Sequence, residues 1–309
     1  MSKVVIVKKR LYDKLSKELI QDLIALDYEF QIQENFEYGS IYDLGKDDIV
    51  MFDSKVPQAQ QSFLKKTYLI TNGSKETLLE SEDIAVLRNI MSFSHLKYFK
   101  SLFMNHLFIT RHSKKDISYD KFFSTYKKKI FLLDKKNPKL HILRDLEKFL
   151  SSHFQNFCGP LFLSKQSFFN KVISCVDELL MNAIWDAHPF RSKLTRHEDV
   201  TVESEERVRV EIFYKDHEII FSVQDIWGEF NNKALENLMS LALKDTQGIS
   251  INYDSRGASI GLSLVLKCFK NILIHANKKY GTRVSFLVTN NIKFKELSKL
   301  GYTILSYQD

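Results

Sequence analysis

A chain of 309 residues is long enough for two domains of roughly 150 residues, and for cores that need neither disulfides nor structural metal. Ten glycines and four prolines are too few for a collagen-like, low-complexity or Gly/Pro-rich disordered chain. The net charge of +7 is local: Lys97 to His141 carries twelve Lys/Arg against three acids, which leaves the rest slightly acidic. Cys158, Cys175 and Cys268 are scattered and odd in number, without metal-ligand spacing or a secreted disulfide framework. No apolar run approaches the roughly 18 residues of a membrane span, and MSKVVIVKKR is too short an apolar stretch for a signal peptide. A cytoplasmic protein with no membrane attachment is expected.

Taken in chain order, Val4–Val7 is a short β-branched run that predicts a buried strand. Leu11, Leu15, Leu19, Ile20, Leu23 and Ile24 form a helical face, which predicts one helix over 11–26. Strands are predicted at Phe30–Ile32, Ile49–Phe52 and Tyr68–Ile70, with helical candidates near 57–66 and 82–92. This alternation predicts a doubly wound parallel sheet, whose chemistry would sit at the carboxyl ends of its strands. Asp53 follows the third strand, Pro57 comes four residues later, and Thr71 closes the fourth strand.

These residues resemble the receiver domain of bacterial response regulators, with Asp53 in place of the phosphate-accepting aspartate and Thr71 in place of the strand-four hydroxyl. A receiver also needs an acidic pair after its first strand to hold Mg²⁺. Here those positions are Lys8, Lys9 and Arg10, and Lys100 is the candidate for the fifth-strand lysine. The resemblance therefore implies a degenerate, receiver-like domain over 1–100 whose pocket is not phosphorylated.

The basic stretch interleaves its lysines with nine aromatics. Nucleic-acid binding over 97–141, by phosphate contact and stacking, is one expectation. Solvated faces of connecting helices are the other. Residues 101–150 are read as a basic, helical connector that transmits a signal or pairs two copies into a homodimer.

Five of the ten glycines, Gly228, Gly248, Gly257, Gly261 and Gly281, lie within 54 residues. Such clustering in a glycine-poor chain suggests close backbone approach or positive φ. Before it, Phe168–Ala187 has a strong helical pattern, with Ser174, Glu178, Asn182 and Asp186 on one polar stripe at four-residue steps. Val208–Phe213 and Ile219–Val223 predict an antiparallel hairpin running into Asp225-Ile-Trp-Gly228. A helix is predicted at Ala234–Leu243. Arg256-Gly-Ala-Ser-Ile-Gly261-Leu262 then opens another, where small residues can cradle phosphate with backbone N–H groups. Ile272–Ile274 and Val284–Val288, the latter entered through Gly281-Thr282, predict the closing strands.

In order and spacing this second half resembles the GHKL superfamily of ATPases, which spans gyrase-type topoisomerases, mismatch-repair proteins, histidine kinases and anti-sigma-factor kinases. Glu178-Leu-Leu-Met-Asn182 looks like the N box, Asp225-Ile-Trp-Gly228 like the first glycine box, Gly257-Ala-Ser-Ile-Gly261-Leu262 like the second, and Gly281-Thr282 like the last conserved turn. The resemblance implies an α+β two-layer Bergerat-type ATP-binding domain over 151–290, followed by a C-terminal extension over 291–309. It implies ATP and Mg²⁺ as ligands, with Asn182 holding the metal through its amide oxygen. Asp225 would accept from the adenine amino group and Thr282 would complete the adenine contacts. Gly228, Gly257, Gly261 and Leu262 would line the nucleotide, and Glu178 would be the catalytic base. Arg256 is a candidate for neutralising phosphate. Trp227, where the family often has glycine, and Ser259 in the second box depart from the pattern.

The function expected is ATP-dependent signalling in the manner of a bacterial anti-sigma kinase: a protein partner is phosphorylated or sequestered under control of the receiver-like domain. Two alternatives are an atypical histidine kinase using His95, His106, His141 or His153, and a non-catalytic binding module switched by ATP. None of the four histidines is followed by the acidic residue and nearby proline that a phosphate-accepting histidine normally has.

Overall fold

The computed structural model describes residues 3–34, 49–52, 67–71, 89–92, 100–112, 123–134, 138–154, 165–188, 207–215, 217–228, 230, 232–244, 258–290 and 302–308. They form a mixed α/β fold around one sheet of eleven strands, in the order β2-β1-β3-β4-β5-β11-β9-β10-β8-β7-β6. The first five are β1 (Lys3–Lys8), β2 (Tyr28–Gln33), β3 (Ile49–Phe52), β4 (Thr67–Thr71) and β5 (Asn89–Ser92), all mutually parallel. The others are β6 (Lys127–Leu133), β7 (Val208–Lys215), β8 (Glu218–Gln224), β9 (Asn271–Asn277), β10 (Gly281–Thr289) and β11 (Thr303–Gln308). Within the set β6 to β10 every pairing is antiparallel. β11 joins the two halves, antiparallel to β5 and parallel to β9.

Period-two alternation assigns each strand's side chains to two cores. Ile219, Phe221 and Val223 of β8, Ile272 and Ile274 of β9, and Phe286 and Val288 of β10 enter one core. Ile220, Leu273 and Leu287, the residues between them, enter the other. Four helices cover the first core: α4 (Lys139–His153), α5 (Lys165–Met181), α6 (Asn232–Lys244) and α7 (Ala258–Phe269). The opposite core holds Leu102, Phe103 and Leu107 of α3 (Lys100–His112), together with Val5, Val7, Ile49, Met51, Tyr68 and Met91 from the parallel strands. The second half is therefore covered on both faces, which accounts for β9 being buried along its whole length. Within 151–290 the helices α5, α6 and α7 lie on one face of the strands, and α3, from outside that range, covers the other.

Several expectations need correction. The helix expected over 11–26 is two helices, α1 (Lys9–Tyr12) and α2 (Lys17–Ala25). Ser16 starts the second, its Oγ accepting from Leu19 N at 3.2 Å, so the N-cap wins over the continuous apolar face. The helical candidate 82–92 ends as the strand β5. Asn89, a poor strand former, is retained because its side chain accepts from Ser306 N of β11 at 3.0 Å. The connector contains an edge strand: Lys127-Lys-Lys-Ile-Phe-Leu-Leu133 pairs with β7, and its lysines suit an unpaired edge. The C-terminal extension includes β11, in the interior of the sheet. Lys100 opens α3 and pairs with Asp22 at 2.6 Å, so it is not a fifth-strand lysine. The candidate helix 57–66 lies outside the described residues.

Candidate functional site

Asp225 stands at the end of β8, directly across from the start of β10. The register places Arg283 opposite Gln224, so Thr282 meets Asp225: Asp225 N donates to Thr282 O, and Thr282 N donates back to Asp225 Oδ1, both at 2.9 Å. The same oxygen accepts from Trp227 N at 2.9 Å and Gly228 N at 3.3 Å, an Asx-type turn that fixes the carboxylate. Among the described residues Oδ2 takes no hydrogen bond. Asp225 as a whole is only 4% exposed. Burial pushes it from the ordinary 3.8 up to about 7, and the N–H groups of Thr282, Gly228 and Trp227 oppose that rise without cancelling it.

Two glycines make this turn possible. Gly228 has φ +68° and a Cβ there would lie 2.2 Å from Asn277 O; Gly281 has φ +94° and its Cβ would lie 1.9 Å from Asp225 O. Asn277 shapes the intervening turn, its Oδ1 accepting from Lys279 N at 2.8 Å and Tyr280 N at 3.2 Å. Each loop thus occupies the space a side chain would need on the other.

The second cluster lies where α5 meets α7. Glu178 and Asn182 are one helical turn apart, and Gly261 packs against both. A Cβ at 261 would stand 2.9 Å from Asn182 Nδ2, 3.0 Å from Glu178 Cβ and 3.1 Å from Glu178 Oε2. At Asn182 the helix changes character. Asn182–Asp186 is a π-helical turn, with Ala187 N donating to Asn182 O at 2.9 Å. This wider turn takes Asp186 out of the four-residue stripe, and such bulges occur often at functional sites. The helix then ends at His188, whose buried ring meets Trp227 edge-on at 4.8 Å and 71°. Trp227 and His188 therefore connect the Asp225 loop with the end of the Glu178–Asn182 helix. Trp227, which replaces a glycine of the resembled motif, packs against protein.

The expected site residues thus fall into two groups joined by an aromatic pair. Asp225, Gly228, Gly281 and Thr282 form one, with Thr282 contributing its backbone to hold Asp225. Glu178, Asn182 and Gly261 form the other. The Leu262 side chain, 2% exposed, belongs to the apolar core. Gly257, Arg256 and Asp53 lie outside the described residues, and Thr71 closes β4 opposite Ser92. His188, Asn277 and the π turn were not anticipated. A buried histidine carries no sequence signal of its own, and a π bulge keeps the same apolar composition as a helix.

Asn182 and Glu178 together offer one amide oxygen and one carboxylate. Among the described residues no group of three His, Cys, Asp or Glu side chains could hold a metal. That donor set suits a hard cation that brings most of its oxygen ligands with it, as Mg²⁺ does with phosphates and water.

Elsewhere, charged residues of the basic stretch have structural partners. Lys128 pairs with Glu211 at 2.9 Å, Lys139 with Asp177 at 2.7 Å, and Lys100 with Asp22. Lys9 pairs with Asp13 at 2.6 Å. Glu211 also pairs with the buried Arg283 at 2.7 Å, and Arg283 Nη2 bonds Gln224 Oε1. His106 is fully buried, its Nδ1 3.2 Å from His275 Nε2, which removes it from the candidates for phosphate acceptance. The chain matches no protein-family model, and a comparison with curated proteins finds none similar to it.

Proposed function

We propose that this chain binds ATP with Mg²⁺ at the Asp225 and Glu178–Asn182–Gly261 clusters, and that it is a signalling protein of the GHKL type. The observation that carries this reading is the Asp225 carboxylate. One of its oxygens is held by three backbone N–H groups, and the other, which accepts from none of the described residues, is where a ligand's donor would bind. An exocyclic amino group such as that of adenine is a donor of the required kind. Gly228 and Gly281 let the two turns close on each other, which holds the carboxylate in this position.

Mg²⁺ would supply charge neutralisation at the phosphates when bound. Asn182 would hold it through its amide oxygen, and Gly261 would bring the start of α7 and its backbone N–H groups toward the phosphates. Glu178, one turn before Asn182, is placed to orient or deprotonate an attacking hydroxyl. Arg256 and Gly257 would complete the phosphate side. The output is phosphorylation or sequestration of a protein partner, in a cytoplasmic pathway, with a homodimer as the working state.

The strand order 2-1-3-4-5 of the N-terminal half is that of flavodoxin-like sheets, which supports reading it as a receiver-like domain. Lys9 is engaged by Asp13, and the basic residues after β1 suit a pocket that does not gather Mg²⁺, so regulation would come through contact and not phosphorylation of Asp53.

Calorimetric titration with ATP and Mg²⁺ tests the proposal. Wild-type protein should bind, Asn182→Ala should lose the magnesium dependence, and an absence of binding by wild type overturns the reading.

A further inference from the structure

We propose that Cys175 and Cys268 form a reversible dithiol/disulfide site that cross-links the two helices carrying Glu178, Asn182 and Gly261. The placement follows from helix geometry. Gly261 of α7 packs against Glu178 and Asn182 of α5. Seven residues back from Asn182 is Cys175, and seven residues on from Gly261 is Cys268. Seven residues are close to two full turns, about 10 Å along the axis, and return each helix to nearly the same face. Two antiparallel helices in contact at 182 and 261 therefore face each other again at 175 and 268.

Phe168 of α5 and Phe269 of α7 meet edge-on at 6.5 Å, so the two helices run antiparallel and Cys175 lies between that contact and Gly261. Cys175 is buried in the core and Cys268 is half-buried against it. The influence of Cys268, together with burial, pushes the Cys175 thiol up, while that of Cys175 lowers Cys268, helped by the Lys171 ammonium. The accessible member is thus the nucleophile and the buried member the resolving thiol.

With hydrogen peroxide as oxidant the chemistry closes. The Cys268 thiolate attacks one peroxide oxygen, the O–O bond breaks, and the departing hydroxide takes up the thiol proton to leave as water. Cys175 then attacks the Cys268 sulfenic sulfur. The S–S bond forms, the S–O bond breaks, and the Cys175 proton leaves with the hydroxyl as a second water. The two sulfurs lose two electrons and the peroxide gains them.

The test uses full-length Cys158→Ser protein without nucleotide, so its result is separate from that of ATP binding. After stoichiometric hydrogen peroxide, peptide mass analysis should find the peptides of Cys175 and Cys268 joined, and dithiothreitol should separate them. Cys268→Ser should show no joined peptide. Sulfinic acid at Cys268 beside an intact Cys175 thiol, or no reaction at either, overturns the proposal. Alkylation of Cys268 by iodoacetamide supplies a readout that leaves the core untouched. Its rate should rise with pH through a midpoint below the ordinary value of 9, and a midpoint at or above that value overturns the pairing.

Discussion

Replacing Asp225 by asparagine separates the demands of folding from those of binding. The amide oxygen can take the place of Oδ1 and accept from Trp227, Gly228 and Thr282. The charge is lost, and with it the cost of holding an ion at a site 4% exposed. A carboxyl raised from 3.8 to about 7 favours the neutral form in the fold, so its penalty is absent below pH 3.8 and grows as pH rises toward 7. By pH 8 the penalty is on the order of 4 kcal/mol, at about 1.4 kcal/mol for each tenfold change in proton affinity. Asp225→Asn should therefore gain stability in urea at pH 8 and gain little at pH 4. The same variant turns an amide N–H toward the place of the adenine amino group, so ATP affinity should fall by a factor of ten or more. A variant less stable than wild type at pH 8 would refute the desolvation argument. One that binds ATP as wild type does would refute the role given to Asp225.

Gly261→Ala sets a helix-propensity gain of about 1 kcal/mol against an overpacking cost of about 1–3 kcal/mol. Glu178 Cβ is fixed to its helix, so the clash should win; a lowered melting temperature and weakened nucleotide binding are expected by calorimetry. Glu211→Ala leaves Arg283 buried without its carboxylate and should cost about 3–5 kcal/mol in denaturant titrations, whereas the paired change Glu211→Met with Arg283→Leu should recover most of it. The buried histidines make the protein acid-sensitive. Burial lowers His106 from 6.5 to about 3, and burial with the nearby His106 and Arg283 lowers His275 well below 6.5. Both stay neutral in the fold while the unfolded chain takes up protons. The histidines' own contribution should be full above pH 6.5 and fall by about 1.4 kcal/mol per pH unit for each as pH drops, opposed over part of that range by the raised Asp225 carboxyl. His106→Phe with His275→Phe should flatten that slope, as read from denaturation midpoints at pH 5 and 7.

Much of the chain was legible from patterning because local periodicity and burial agree. The runs Val4–Val7, Ile49–Phe52 and Ile219–Val223 are apolar because both faces of their strands are covered, and they fold as strands. Glu178 and Asn182 could be paired from their four-residue spacing, whereas Asp225 and Gly281 were read in separate turns and meet only through the pairing of β8 with β10. What escaped depends on distant partners. Lys127–Leu133 becomes a strand because β7 offers it an edge, and Asn89 sits in a strand because Ser306, far along the chain, donates to it. Leu262 stands beside Gly261 in sequence but is rotated into the core by one helical step.

The position of β11 has a consequence for the order of events during synthesis. This strand lies between β5 and β9, although every other strand precedes it in the chain. Until it emerges from the ribosome, both neighbours present bare edges, with Ile272 and Leu273 of β9 already destined for opposite cores. Such edges invite pairing with another chain. The nascent protein thus passes through an interval in which two half-sheets exist without the strand that joins them, and a chaperone that shields β-edges would act at that moment.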